Sequence, residues 1–169
     1  MKQTDNFKFD EANIMNELVY RNLSEDAKRQ ICAWKYGGEY DLYNLPAYEE
    51  MQVRQIGFMN PQREKNYYGF WDKNILVGFV NILEEKEEVF IGIGVNPDLC
   101  NKHYGQRMLL ITYEISKKLY PDKPLYLEVR TWNIRAVKCY QKAGFRIDGQ
   151  AYELTTGIGT GTFYRMIRE

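Results

Sequence analysis

Leu125-Tyr126-Leu127-Glu128-Val129-Arg130-Thr131-Trp132-Asn133, running on through Ala136, Tyr140 and Lys142 to Gly144-Phe145, is the stretch on which the fold of this 169-residue chain turns. Leu125–Val129 reads as an apolar strand and Asn133–Lys142 as a helix that Gly144 closes. Steps of three and four set Asn133, Ala136, Val137 and Tyr140 along one helix face. Asn133 stands where it can cap the helix, and the small Ala136 lets a ligand or a neighbouring backbone lie close.

A second strand–helix pair precedes it. Val89–Val95 is a continuous apolar run, expected as a central strand buried on both faces. Gly105–Leu119 follows as a helix with Met108, Thr112, Ile115 and Leu119 along one side. Further upstream, Tyr67–Trp71 and Ile75–Leu83 form an antiparallel hairpin about Asp72-Lys73-Asn74, and Glu84–Glu88 is a charged turn. Val19–Leu23 reads as a short strand. Ser24 is then a helix N-cap with Glu25 and Asp26 in the first turn, and Gly37-Gly38 is the expected helix end. A helix over Ala47–Ile56 follows an irregular, aromatic stretch from Tyr40 to Pro46. At the other end, Ile147–Leu154 and Phe163–Ile167 form a hairpin about a glycine-rich turn. The order predicts an α+β protein with a mixed rather than doubly wound sheet. A single domain over residues 1–169 is expected, with residues 1–18 a candidate N-terminal extension that includes a short amphipathic helix over Asp10–Leu18.

Composition narrows the function. Lys plus Arg equals Asp plus Glu at 23 each, so the basic excess typical of a nucleic-acid binder is missing. Cys32, Cys100 and Cys139 are widely spaced with no CxxC pair, which argues against a zinc site or disulfide framework, and His103 is the single histidine. No metal is therefore expected. No apolar run reaches the length of a membrane span and the first ten residues are polar, so a cytoplasmic location is expected.

Two features of Val89–Leu110 carry chemistry. Gly92 and Gly94 alternate in the strand, which marks a close approach by a ligand or another backbone. The strand also leaves through Asn96-Pro97 into a loop that opens onto a helix at Gly105, and the unpaired N–H groups of a helix start form a ready phosphate site. Gly92-x-Gly94 lacks the third glycine of a dinucleotide fingerprint. The run Gly157-Ile158-Gly159-Thr160-Gly161 precedes a strand rather than a helix, so it reads as a turn, not a nucleotide loop.

Val95-Asn96-Pro97 with Cys100-Asn101-Lys102-His103-Tyr104-Gly105 and Met108-Leu109-Leu110 resembles motif A of the GNAT N-acetyltransferase superfamily, Gln/Arg-x-x-Gly-x-Gly/Ala. Cys100 and His103 depart from that pattern, and Gly105 keeps it. Leu127–Phe145 resembles motif B, Asn-x-x-Ala-x-x-x-Tyr-x-x-x-Gly-Phe, in full. The resemblance implies a mostly antiparallel twisted sheet with helices on both faces, whose parallel central strands, Val89–Val95 and Leu125–Val129, splay apart. It implies acetyl-coenzyme A as co-substrate, its pantetheine bonded to backbone at Ile93, Gly94 and Val95, and its pyrophosphate held by Cys100, Asn101, Lys102, His103, Tyr104, Gly105 and Gln106. Asn133, Ala136 and Lys142 would complete the cofactor contacts. A backbone N–H near Val95 would face the acetyl carbonyl.

The implied reaction is direct attack by a primary amine, of a small molecule or a peptide, in a ternary complex. Tyr140 is the expected acid for the leaving thiolate, and Glu88 the candidate base. The acceptor wall would come from Trp34–Tyr48 and Tyr152–Phe163, where aromatic rings with Glu39 and Asp41 suit a cationic amine. Homodimerisation is left open. The departures at Cys100 and His103 keep an alternative in view: a non-catalytic module of the same fold that binds coenzyme A or a partner protein.

Overall fold

The computed structural model describes residues 18–169. Among these residues eight strands form one sheet: β1 (Leu18–Asn22), β2 (Tyr67–Asp72), β3 (Ile75–Glu84), β4 (Val89–Val95), β5 (Leu125–Arg130), β6 (Arg146–Ile147), β7 (Tyr152–Thr156) and β8 (Gly159–Arg168). Among the described residues four α-helices accompany it: α1 (Glu25–Ala33), α2 (Tyr48–Arg54), α3 (Tyr104–Leu119) and α4 (Ile134–Lys142). The strand order is β1-β2-β3-β4-β5-β8-β6, with β7 also on β8, and every pairing is antiparallel except β4 with β5. The expected α+β mixed sheet with a central parallel pair is therefore present. The expected helix over Asp10–Leu18 lies outside the described residues except for Leu18, which begins β1.

Side-chain alternation along the strands separates two cores. On one face Phe70, Val77, Val80, Ile91, Leu127, Val129 and Met166 pack against Met108, Leu109, Ile111 and Ile115 of α3 and Val137 of α4. On the other, Tyr67, Trp71 and Leu76 pack against Ala27, Ile31 and Cys32 of α1 and Tyr48 and Met51 of α2. Ser24 caps α1 as its sequence predicts, its hydroxyl accepting from the Ala27 N–H at 3.1 Å. This helix ends at Ala33, before the Gly37-Gly38 pair, because Trp34 turns extended and sets its ring 6.2 Å from that of Phe79. The glycines instead lead into a 3₁₀ turn over Gly38–Tyr43.

Two strand readings change. In β4 only Val89 and Ile91 are buried, and the residues from Gly92 onward are partly exposed, because the strand's second half borders a cavity. The expected strand Ile147–Leu154 is two strands: between β6 and β7 the chain breaks at Gly149, whose φ of 76° is outside the extended region. Among the described residues no helix is long and apolar enough to cross a membrane.

Candidate active site

The parallel pairing of β4 with β5 consists of Val89 with Leu125 and Phe90 with Tyr126, and goes no further. Period two decides which backbone groups this leaves open. The Asn96 N–H donates to Val77 O on the β3 side and the Val89 N–H to Pro124 O on the β5 side, so odd-numbered residues of β4 turn their polar groups toward β5. Past Phe90, Ile93 and Val95 therefore offer backbone groups to a gap with no strand in it. The Tyr36 hydroxyl donates to Val95 O at 2.6 Å, and burial pushes the Tyr36 phenol up, so it stays a donor. Gly94 fits the close approach expected of it, but the approaching group is the chain's own: a Cβ there would lie 2.4 Å from the Phe79 ring.

The gap opens into a cavity of about 620 Å³ that reaches the loop before α3. In that loop Asn101 and His103 both adopt the left-handed conformation, with φ of 63° and 65°. His103 thus stands in a backbone state that glycine adopts freely, at a cost of about 1 kcal/mol or more. It is the N-cap of α3 without a side-chain cap bond, and the first bond along the helix runs from Arg107 N–H to His103 O. Among the described residues the N–H groups of Tyr104, Gly105 and Gln106 consequently have no acceptor, and 16 residues of aligned dipoles stand behind them. Gly105 is required by packing, since a Cβ would lie 2.9 Å from Cys139 Sγ on α4.

On α4, Asn133 caps the helix through its Oδ1, which accepts from the Ala136 N–H at 3.2 Å, while its Nδ2 donates to the Tyr43 hydroxyl at 3.3 Å. Tyr140 borders the cavity, and its hydroxyl makes no hydrogen bond among the described residues. Burial first, then the neighbouring Cys139, pushes its phenol well above the ordinary value, so it holds its proton. Cys139 borders the cavity as well, and burial raises its thiol to about 11, which leaves it a poor nucleophile at neutral pH.

One cavity thus brings together Ile93, Gly94, Val95, Cys100, Asn101, His103, Tyr104, Gly105, Gln106, Asn133, Ala136, Tyr140 and Lys142. Lys102 is exposed in the loop and does not line it. Glu88 does not line it either: it lies at the zipped end of β4 and β5, ion-paired with Arg165, which also bonds Asp148 at 3.3 Å. Glu39 and Asp41 point to solvent. Among the described residues the carboxylate that does line the cavity is Glu128, which accepts from the Tyr152 hydroxyl. Arg130 lies two residues on, and Trp34, Tyr36, Tyr40 and Tyr43 complete the wall. Glu128 and Arg130 had a readable signal, the alternation Leu-Tyr-Leu-Glu-Val-Arg, which puts them on the face away from the α3 core. Tyr36 had none, as it meets Val95 only through the fold.

The architecture recurs in solved structures. A spermidine N-acetyltransferase from Vibrio cholerae, in complex with CoA and spermine, superposes with a TM-score of 0.72 at 17% identity, over 90% of this chain and 95% of that one. A GNAT-family acetyltransferase from Bacillus anthracis gives 0.72 at 18% identity, over 90% and 94%. One from Streptococcus pneumoniae gives 0.64 at 23%, over 90% and 98%. At these identities the likeness is one of fold. A comparison with curated protein sequences found no match. The sequence pattern of the acetyltransferase (GNAT) family, by contrast, matches residues 29–145, a span that contains the splayed strands, the amide-lined loop and the whole of α4. Fold and sequence agree over the same residues, and the chain belongs to the acetyltransferase (GNAT) family.

Proposed function

We propose that this protein transfers an acetyl group from acetyl-coenzyme A to a primary amine by direct attack in a ternary complex. The observation that carries this reading is the early end of β4–β5 pairing, which leaves the backbone of Ile93 and the N–H of Val95 open, in one cavity with helix-start amides that have no acceptor among the described residues. An extended pantetheine arm fits such an edge as an added strand would. The N–H groups of Tyr104, Gly105 and Gln106 suit a pyrophosphate, and the exposed Lys142 adds positive charge at the same end.

Bound acetyl-coenzyme A supplies an acetyl thioester, already activated toward amines, so no enzyme nucleophile is needed. The Val95 N–H is the donor toward the acetyl oxygen. Tyr140 keeps its proton at Oη for the departing sulfur. As the amine nitrogen bonds the acetyl carbon and the carbon–sulfur bond breaks, Glu128, which faces the acceptor side where Glu88 does not, holds the amine and takes the proton it sheds.

The test is turnover of acetyl-coenzyme A against a panel of amines, with coenzyme A affinity measured in parallel by calorimetry. Tyr140→Phe is expected to lower kcat by about 10²–10⁴-fold while coenzyme A still binds. Tight coenzyme A binding without turnover on any amine would instead identify a non-catalytic module, and no binding at all would leave a purely structural protein.

A further inference from the structure

The acceptor end of the cavity holds a charge that a simple amine does not use. Arg130 is 7% exposed and lines the cavity. Among the described residues its guanidinium has no carboxylate partner. One N–H donates to Gly159 O at 3.4 Å, the plane lies 4.9 Å from the Phe163 ring centroid, and among the described residues Nε has no partner. A buried cation with spare donors is costly unless an anion completes it.

The seat of this arginine is specific. A Cβ at Gly161 would lie 2.1 Å from Arg130 Nη1, so the glycine run of the last hairpin serves to let the guanidinium lie over β8. Glu128 and Arg130 share one face of β5, about 7 Å apart along the strand. That face is opposite the α3 core and meets the aromatic wall of Trp34, Tyr40 and Tyr43.

We propose that the acceptor is an amino-acid-like zwitterion whose carboxylate docks on Arg130 while Glu128 holds its amine. A planar carboxylate matches the guanidinium fork, and the pair forms away from water. A polyamine would fit badly. Among the described residues Glu128 is the only carboxylate lining the cavity, so a second ammonium would meet Arg130 rather than a partner.

This inference rests on the acetyl-transfer reading of the same cavity, so its test includes a binding readout that does not need turnover. The twenty amino acids, their amides and their decarboxylated amines, with spermidine, are assayed for acetylation and, by calorimetry, for binding to the coenzyme A-saturated protein. At least one amino acid is expected to exceed its amide by roughly 10- to 100-fold in kcat/KM or in affinity, the loss that accompanies a missing charged hydrogen bond. Arg130→Gln should remove that advantage mainly through KM, with coenzyme A affinity unchanged. Gly161→Ala, which displaces the guanidinium without deleting it, should act in the same direction.

Binding of an amino acid without turnover on any acceptor would support the carboxylate site and sink acetyl transfer. Preference for spermidine or the decarboxylated amines, an Arg130→Gln loss equal for all acceptors, or a fall in coenzyme A affinity in that variant would overturn the proposal. So would failure of every amino acid to bind.

Discussion

His103 shows how a single residue can depart from a motif without undoing the structure the motif builds. Its backbone takes the left-handed state at φ 65° and ψ 10°, and the residue is exposed where it lines the cavity, so the departure costs conformational energy while the helix start keeps its place. Histidine is among the residues that tolerate this region, whereas a β-branched residue does not. His103→Gly should therefore gain up to about 1 kcal/mol in stability and keep coenzyme A affinity. His103→Val should lose about 1–3 kcal/mol in chemical denaturation and weaken coenzyme A binding. Equal behaviour of the two variants would mean that the loop does not need its left-handed bend. The motif was readable as a spacing of residues, and the glycine of its pattern already marked His103 for a backbone that glycine adopts freely; the angle itself comes from the structure.

At the scale of elements, the site depends on how closely α3 and α4 approach. Gly105 and Cys139 touch where the first turn of one helix meets the last turns of the other. Gly105→Ala is expected to cost about 1–3 kcal/mol by overpacking, and Cys139→Ala should recover much of that loss in the double variant. Additive losses would show that the helices do not share this contact. Most element positions were legible from periodicity, caps and turns, and β4 spans the seven residues Val89–Val95 that its apolar run marks out. What periodicity could not supply was the partner of each strand. An apolar run reads as doubly buried whether its neighbour is a strand or a ligand cleft, and this is why β4 is more open than its composition implies. The pairing of Glu88 with Arg165 has the same origin: its partner comes from β8, 77 residues away.

For the whole molecule, the sheet is two antiparallel halves joined by a short parallel seam at Val89–Leu125 and Phe90–Tyr126. A ligand that fills the gap should tie the halves together. Saturation with coenzyme A at a hundred times its Kd is expected to stabilise the fold by about 2.7 kcal/mol. Hydrogen exchange should slow selectively at the amides of Ile93, Val95, Tyr104, Gly105 and Gln106. Stabilisation with protection elsewhere, and none at these amides, would place the ligand in a different site.

The amino-acid order alone determined the elements, their sequence along the chain, the helix-start loop and the tyrosine-bearing helix, because each follows from local periodicity, capping and spacing. Only the tertiary structure decided where β4 and β5 part, that Glu128 and Arg130 rather than Glu88 face the cavity, and that Tyr36 takes the carbonyl of Val95. These contacts join residues far apart in the chain, and their energies exist only once packing has brought them together.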